Sequence, residues 1–242
     1  MKNENEIVES FKNLIGESNF NVLEFFSGAI GDVAPIISNV MTSFKIYRLK
    51  NRLEKHESKL KELSEKVVSV DDEKFADLLK KFLFPAILQQ LLDEDEDNKT
   101  GYFLDGFGNV IDKNIIDQSR ILILYDILRN LRFVEIEYLI SLSSTYRSYY
   151  RTLIFNKNEN VENTFDNIQF SSLKIPIESK LESLGLINTG KSISYDEMMR
   201  NFNNDLKRQK NSLPRTNRTP VVTITPFGNE FLNMFSLLDK YK

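Results

Sequence analysis

Residue types with distinctive chemistry are missing from this chain of 242 residues, which has no cysteine, no tryptophan and a single histidine, His56. The lack of cysteine excludes a disulfide scaffold, a thiolate metal site and a cysteine nucleophile. One imidazole cannot build a multi-histidine metal site, and it argues against a histidine-based catalytic triad. We therefore expect a protein that is not an enzyme and that uses no metal and no cofactor.

One enzymatic alternative needs none of the missing residues. A metal-dependent nuclease can work with carboxylates and a lysine, and the chain contains 35 acidic residues. However, no spacing among these carboxylates singles out a set of ligands, so the non-enzymatic interpretation is preferred.

The chain does contain enough apolar sequence to form a core. Its 41% apolar content and net charge of −3 argue against intrinsic disorder, and its length allows one large domain or two small ones. Helical periodicity dominates, so we predict a mainly α fold. Changes in composition divide the chain into residues 1–45, 46–112 and 113–242.

The first of these regions contains the longest apolar segment, residues 20–41, which follows a short amphipathic helix at 1–19. Its length suits a bilayer span, although Glu24, Asp32 and Pro35 interrupt it. Basic residues are in excess after it, at 45–66, which would leave the rest of the chain in the cytoplasm. Two interpretations stay open: a membrane segment, or a buried hairpin of two short helices.

Residues 46–70 carry a heptad pattern that predicts a coiled-coil stalk. The core positions of the pattern alternate at spacings of three and four: Ile46, Leu49, Leu53, His56, Leu60, Leu63, Val67 and Val70. Such a seam needs a partner helix. This is either a second copy of the chain, which would make the protein a homo-oligomer, or residues 73–92 folded back.

An acidic run, Asp93 to Asp97, follows the second of these helices. It does not match a calcium-binding loop, because the glycine and the glutamate that such a loop requires are absent from their positions. We interpret the run as solvated charge. Residues 101–114, which contain three glycines, are then expected to form a short helix and a turn that link two halves.

The order of elements in the C-terminal half is informative. Periodicity predicts helices at 119–131, 134–142 and about 172–184, with Gly185 ending the third. A strand begins at Leu186, and Val221–Thr225 forms a return strand, which gives a small β-hairpin. Thr225 is expected to cap a last helix that has Pro226 at its first position.

The segments LESLGLI (181–187) and TITPFGNEFL (223–232) are similar to the frame around the wing of winged helix-turn-helix domains. This resemblance implies that 113–242 is a winged-helix-like α+β domain. Two departures from the pattern are long: residues 143–171 between the second and third helices, and a wing at 188–220 with its own helix at 194–210. The frame packs a core and does not itself read DNA.

Both long segments carry residues suited to nucleic acid. Guanidinium and ammonium groups hold phosphates, and aromatic rings stack on exposed bases. The first segment combines two arginines four residues apart with three tyrosines, and the second has six basic residues and one acidic residue between 199 and 218. The candidate nucleic-acid-binding residues are Tyr146, Arg147, Tyr149, Tyr150, Arg151, Arg200, Lys207, Arg208, Lys210, Arg215 and Arg218.

The whole layout, an apolar front, heptads and a basic winged-helix-like domain, resembles the membrane-anchored, nucleic-acid-binding abortive-infection proteins of the lactococcal type, which act in phage defence. The resemblance implies a non-enzymatic protein at the inner face of the cell membrane that binds DNA or RNA. The alternative is a soluble helical adaptor or sensor that oligomerises through its coiled coil and binds protein through the winged domain.

Overall fold

The computed structural model describes residues 43–157, 173–190 and 222–242, together with 12–13, 16–17, 20–21 and 24–25. These residues are mainly helical and include one antiparallel sheet of two strands, as the sequence predicts. The chain divides into two compact units. Unit 1 comprises residues 1–133 and 234–237, and unit 2 comprises 134–233 and 238–242.

The helices are α1 (Ser43–Lys55), α2 (Glu57–Val68), α3 (Glu73–Asp77), α4 (Phe84–Asp93), α5 (Thr100–Asp112), α6 (Gln118–Asn130), α7 (Phe133–Ser141), α8 (Ser144–Lys157), α9 (Lys174–Ser183) and α10 (Pro226–Met234). A π-helical segment, Leu78–Leu83, joins α3 to α4. Short 3-10 turns occupy Asp97–Lys99 and Asp239–Tyr241. The strands are β1 (Ile187–Asn188) and β2 (Thr223–Ile224).

The heptad segment forms two helices that pack within the chain. The heptad segment is interrupted at His56, which separates α1 from α2, and its apolar positions are covered by the same chain. Helix α1 packs on α4 and helix α2 packs on α5, so the fold-back alternative is correct in part. The buried heptad residues are Leu49, Leu53, Leu60, Leu63 and Val67. Homo-oligomerisation through 46–70 stays a prediction, but these five positions do not offer it an open seam.

Residues 101–114 form a helix and a turn, as predicted, but the helix is longer than expected. This helix, α5, spans 13 residues, and the turn follows it at 113–114. Phe103, Leu104, Phe107 and Val110 on this helix are all buried. The burial of these side chains outweighs the low helix propensity of the three glycines.

The helical stretch from 73 to 93 contains a π-helical segment in its middle. The Phe84 N–H donates to the Leu79 carbonyl, five residues earlier, instead of to the carbonyl four residues earlier. Pro85, which follows directly, has no N–H to donate, and its ring would clash with the carbonyl four residues before it in a regular α-helix. The wider turns therefore accommodate the proline that the sequence places within this stretch.

In unit 2, the end of α9 is formed as the sequence predicts. Gly185 has a φ of 72°, a conformation that favours glycine because it has no Cβ. The Gly185 N–H donates to the Glu182 carbonyl, and the Leu186 N–H donates to the Leu181 carbonyl. This pair of hydrogen bonds is a Schellman motif, and it directs the chain from α9 into β1.

The two strands and α10 also follow the prediction. Ile187 pairs with Ile224 in the antiparallel register, although β2 is shorter than the predicted 221–225. The Thr225 hydroxyl accepts a hydrogen bond from the Gly228 N–H at 2.9 Å and caps α10. A Cβ at Gly228 would lie 2.1 Å from the Leu186 carbonyl oxygen, so glycine allows α10 to approach β1 closely.

Two polar contacts join α7 to α9 within unit 2. The hydroxyl of Tyr138 donates to a carboxylate oxygen of Glu178 at 2.6 Å, and both side chains are buried. The ammonium of Lys180 lies 2.7 Å from the carboxylate of Glu135. Because only two residues separate the end of α7 from the start of α8, these contacts help to fix the position from which α8 starts.

Most of the apolar segment 20–41 lies outside the described residues, and so does the predicted wing helix at 194–210. Two described side chains of the apolar segment pack within unit 1. Phe20 is buried, and the ammonium of Lys80 lies 4.8 Å from the ring centroid of Phe25. Among the residues that the structure describes, no helix is both long enough and apolar enough to cross a membrane.

Candidate nucleic-acid interface

Helix α8 carries the described part of the predicted nucleic-acid site. It begins after Ser143, whose hydroxyl oxygen accepts a hydrogen bond from the Tyr146 N–H at 3.2 Å. This bond satisfies one of the N–H groups that have no partner within the first turn of a helix. The helix places Arg147 and Arg151 one turn apart on the same face, as their spacing predicts, and both are exposed.

The two arginines of α8 have no side-chain partner among the residues that the structure describes. Neither Arg147 nor Arg151 forms an ion pair, a side-chain hydrogen bond or a ring contact there. A guanidinium without an internal partner can hold phosphate oxygens with two parallel hydrogen bonds.

The tyrosines of α8 form a group with a fourth tyrosine, Tyr241, whose ring lies between those of Tyr146 and Tyr149. The rings of Tyr146 and Tyr150 stack, with centroids 6.0 Å apart and planes 8° apart. The ring of Tyr241 packs edge-on against Tyr146 at 4.8 Å and tilted against Tyr149 at 5.5 Å. We call the set Tyr146, Arg147, Tyr149, Tyr150, Arg151 and Tyr241 the arginine–tyrosine surface.

The tyrosines of this surface differ in how much ring they present to solvent. Burial, followed by the neighbouring hydroxyls of Tyr241 and Tyr150, raises the pKa of Tyr146 to about 12. Tyr146 is thus a packed member of the group. Tyr149 is 39% exposed, and Tyr150 is half-buried. Tyr149 is two residues from each arginine, about 200° round the helix, so its ring lies on the side of α8 away from them.

The remaining predicted binding residues lie in a part of the chain that the structure does not describe. These are Arg200, Lys207, Arg208, Lys210, Arg215 and Arg218, all within the long wing. The site that can be built from described residues is therefore the arginine–tyrosine surface. Sequence reasoning missed Tyr241 because it is far from α8 along the chain and has no recognisable motif around it.

A second charged cluster, in unit 1, corrects the interpretation of 93–97 as solvated charge. Glu94 is buried and forms an ion pair with Lys99, which is 1% exposed. The Lys99 Nζ and the Glu94 Oε2 are 2.6 Å apart. Arg52 is 3% exposed and donates to an Asp97 carboxylate oxygen at 2.6 Å. Glu96 accepts a hydrogen bond from the Phe133 N–H at 2.8 Å. Three of the five acidic residues thus hold the structure together.

The cations of this cluster also cap helices. Arg52 donates to the carbonyl of Leu91 and, at 2.6 Å, to that of Glu94, where α4 ends. The ammonium of Lys99 donates to the carbonyl of Arg129 at 3.2 Å, where α6 ends. The last carbonyls of a helix have no partner within it and favour a nearby positive charge. The charged side chains of this cluster therefore bind one another and the ends of helices, and the role of the cluster is structural.

The imidazole of His56 forms a hydrogen bond with the side chain of Thr100. The Thr100 hydroxyl donates its single proton to the Asp97 carbonyl at 2.7 Å, so its oxygen must accept from His56 Nε2 at 2.9 Å. The hydrogen on Nε2 is present in both the neutral and the charged imidazole. Burial, followed by the positive charge of Lys55, lowers the pKa of His56.

Among the described residues, no group of three or more histidine, cysteine, aspartate or glutamate side chains is placed to hold a metal ion. No protein-family model, no curated protein and no solved structure matches this chain. The functional interpretation therefore depends on the arginine–tyrosine surface.

Proposed function

We propose that this protein binds nucleic acid through the arginine–tyrosine surface and does so without catalysing a reaction. One observation carries the proposal: Arg147 and Arg151 are exposed one helical turn apart and have no side-chain partner among the described residues. Arginine suits the phosphates of a nucleic acid, and the tyrosines of the same helix suit its bases.

The division of labour follows from the chemistry of each group. Arg147 and Arg151 hold phosphate oxygens, because a guanidinium is always charged and its planar fork matches two oxygens at once. Four residues of helix separate the arginines by about 6 Å along the axis, so they contact separate phosphates. Tyr150, three residues after Arg147, is the tyrosine nearest to this face of the helix and supplies a ring for a base or sugar.

The C-terminal frame supports a winged-helix-like scaffold for this binding. Helix α9, the β1–β2 pair and α10 follow one another in the order that the resemblance implies, and Gly185, Thr225 and Gly228 form their junctions. In this proposal the six basic residues between 200 and 218 extend the phosphate contacts from the wing. Their addition would make binding strongly dependent on salt.

The proposal extends to the membrane and to phage defence through the resemblance to abortive-infection proteins. Residues 20–41 then anchor the chain at the inner face of the membrane, which the basic excess at 45–66 supports. Liposome flotation in high salt tests this part: flotation that persists indicates apolar insertion. Complete recovery in the soluble fraction contradicts it.

The burial of Phe20 favours a second candidate, the soluble adaptor in which 20–41 packs inside the protein and the winged domain binds a protein partner. This candidate predicts no affinity for nucleic acid at any ionic strength. A single binding assay therefore separates the two functions.

The test is fluorescence anisotropy with labelled single-stranded and duplex oligonucleotides, using the full chain. Arg147→Glu/Arg151→Glu should weaken binding by at least about tenfold, because each lost phosphate contact is replaced by repulsion. The matched control is Lys61→Glu/Lys74→Glu, which changes the net charge equally at two exposed lysines of unit 1.

The salt dependence adds a second measure. Arg147→Ala should lower the slope of log affinity against log salt by about one, whereas Lys61→Ala should leave it unchanged. Equal losses in the two charge-reversed variants would mean that only net charge matters. Unchanged affinity in Arg147→Glu/Arg151→Glu would remove the surface from the proposal.

A further inference from the structure

Tyr150 is the tyrosine of α8 that borders the two arginines. It follows Arg147 by three residues and directly precedes Arg151. Because each residue turns an α-helix by about 100°, Tyr150 projects about 60° round from Arg147 and about 100° round from Arg151. On the other flank of the arginines lie Ser144 and Ser148, both exposed. Among the described side chains of α8, Tyr150 therefore has the aromatic ring nearest to a phosphate that the arginines would hold.

The ring of Tyr150 is supported by its neighbours and still reaches solvent. It stacks with the ring of Tyr146, with centroids 6.0 Å apart and planes 8° apart. Tyr146 is in turn packed edge-on by Tyr241 at 4.8 Å. Tyr150 is half-buried, so part of its surface stays accessible. A ring that is ordered in this way loses little conformational freedom when a ligand packs on it.

Helix α9, which leads into the β-hairpin, offers little to a charged ligand among its described residues. The apolar Leu173 and Ile175 at its start are 46% and 72% exposed. Lys180 is held by the carboxylate of Glu135 at 2.7 Å, which leaves Lys174 as the only fully exposed basic side chain of this helix. A helix that reads duplex DNA presents polar and basic side chains to phosphates and base edges. In the described part of unit 2, contact with the ligand therefore depends on α8.

We infer that this site selects unpaired bases, and therefore single-stranded nucleic acid, and that Tyr150 makes the selection. The inference rests on the proposed function, because it names the class of nucleic acid that the same surface binds. Arg147 and Arg151 can hold the phosphates of any strand, whereas an aromatic ring packs on a base only if the face of that base is exposed. A duplex covers the faces of its bases by stacking them on one another, so it can use the arginines but not Tyr150.

The test compares two labelled oligonucleotides of equal length and charge by fluorescence anisotropy, using the full chain. One is a homothymidine strand, and the other is the same sugar–phosphate chain without bases. The unaltered protein should bind the strand with bases about tenfold more tightly, the usual scale for one stacked base. Tyr150→Ala should abolish this preference and leave the affinities for the abasic strand and for a duplex within about twofold. Tyr150→Phe, which keeps the ring, should retain the preference.

Tyr47→Ala is the matched control, because Tyr47 is a 64% exposed tyrosine of α1 in unit 1. It should retain the full preference for the strand with bases. Thermal melting followed by circular dichroism checks that each variant is folded. If Tyr150→Ala lowers the melting temperature, Tyr150→Leu, which retains apolar volume without a ring, takes its place.

Two results would overturn the inference. The first is equal affinity of the unaltered protein for the two strands, a measurement that needs no variant. The second is an equal loss of the preference in Tyr149→Ala, since the ring of Tyr149 lies on the opposite side of α8.

The two proposals can fail separately. If Arg147→Glu/Arg151→Glu weakens binding to both strands while the unaltered protein does not distinguish them, the proposed function stands and the selection of unpaired bases is wrong. If Arg147→Glu/Arg151→Glu binds both strands normally, the surface is not the site and both proposals fail.

Discussion

Two pairs of arginines in this protein share the same spacing and have opposite surroundings. Arg48 and Arg52 lie four residues apart on α1 in unit 1, and Arg147 and Arg151 lie four residues apart on α8 in unit 2. Arg52 is buried among the carbonyls that end α4 and the carboxylate of Asp97. Arg147 and Arg151 are exposed and have no side-chain partner among the described residues.

The difference shows that arginine spacing alone does not identify a binding surface. In unit 1 the carboxylate of Asp97 and the C-terminus of α4 use the donors of the Arg52 guanidinium, so this residue is structural. In unit 2 no described side chain uses the donors of Arg147 and Arg151. The surroundings, which are tertiary, decide between the two roles.

The largest effect should come from removing the buried arginine. Arg52→Ala should lower the free energy of unfolding by about 3–5 kcal/mol, because it leaves helix-end carbonyls and the Asp97 carboxylate without their partner. Arg147→Ala should change it by no more than about 0.5 kcal/mol, since Arg147 has no side-chain contact with the described residues. Urea denaturation measures both. Similar values for the two variants would erase the contrast between the pairs.

A second test places a comparable perturbation in unit 2. Gly228→Ala should destabilise the protein by about 3 kcal/mol, because its Cβ would lie 2.1 Å from the backbone oxygen of Leu186. Gly101→Ala in unit 1 is the control, as its nearest contact would be an ordinary 3.5 Å to His56. The control should gain about 0.5–1 kcal/mol from the higher helix propensity of alanine. A destabilised control would show that α5 tolerates no added methyl group.

The smallest effect concerns His56, which follows Arg52 by four residues. The burial of His56 is intermediate between that of Arg52 and that of the exposed Arg147 and Arg151. Since the pKa of His56 is lowered in the folded protein, the unfolded chain binds a proton more readily. The stability that the neutral imidazole contributes is present above its ordinary pKa of about 6.5, and it is lost as the pH falls further. His56→Gln, whose amide can still donate to Thr100, should therefore lose less stability than the unaltered protein between about pH 8 and pH 5.

Denaturation at several pH values measures this difference directly. The carboxylates titrate in both proteins, so the comparison isolates the histidine. An identical pH dependence in the two proteins would show that His56 titrates alike in the folded and unfolded chains.

Local signals in the sequence predicted α6 in unit 1 and much of unit 2. The expected helices at 119–131 and 134–142 are found at Gln118–Asn130 and Phe133–Ser141. Gly185 and Thr225 act at the helix ends assigned to them. Such features were predictable because a cap, a positive φ or a period of 3.6 residues depends on a few neighbouring residues.

Features that depend on distant parts of the chain could not be predicted in this way. The heptads of 46–70 indicate an apolar seam, but only the fold shows that α4 and α5 cover it. The acidic run gives no sign that Glu94 meets Lys99 in the core, because the desolvation of the pair depends on helices elsewhere. Tyr241 reaches the arginine–tyrosine surface through the return of the chain, which no spacing reveals.

The π-helical segment before Pro85 has a consequence for how the chain can vary. Such a segment is equivalent to one residue inserted into a continuous helix, and each residue of an α-helix turns the chain by about 100°. A homologue that lacks this residue would keep a helix from 73 to 93 but would rotate one half of it relative to the other. Its apolar positions on the two sides should then be offset by one residue, and an alignment of such sequences should admit a single gap within 78–83.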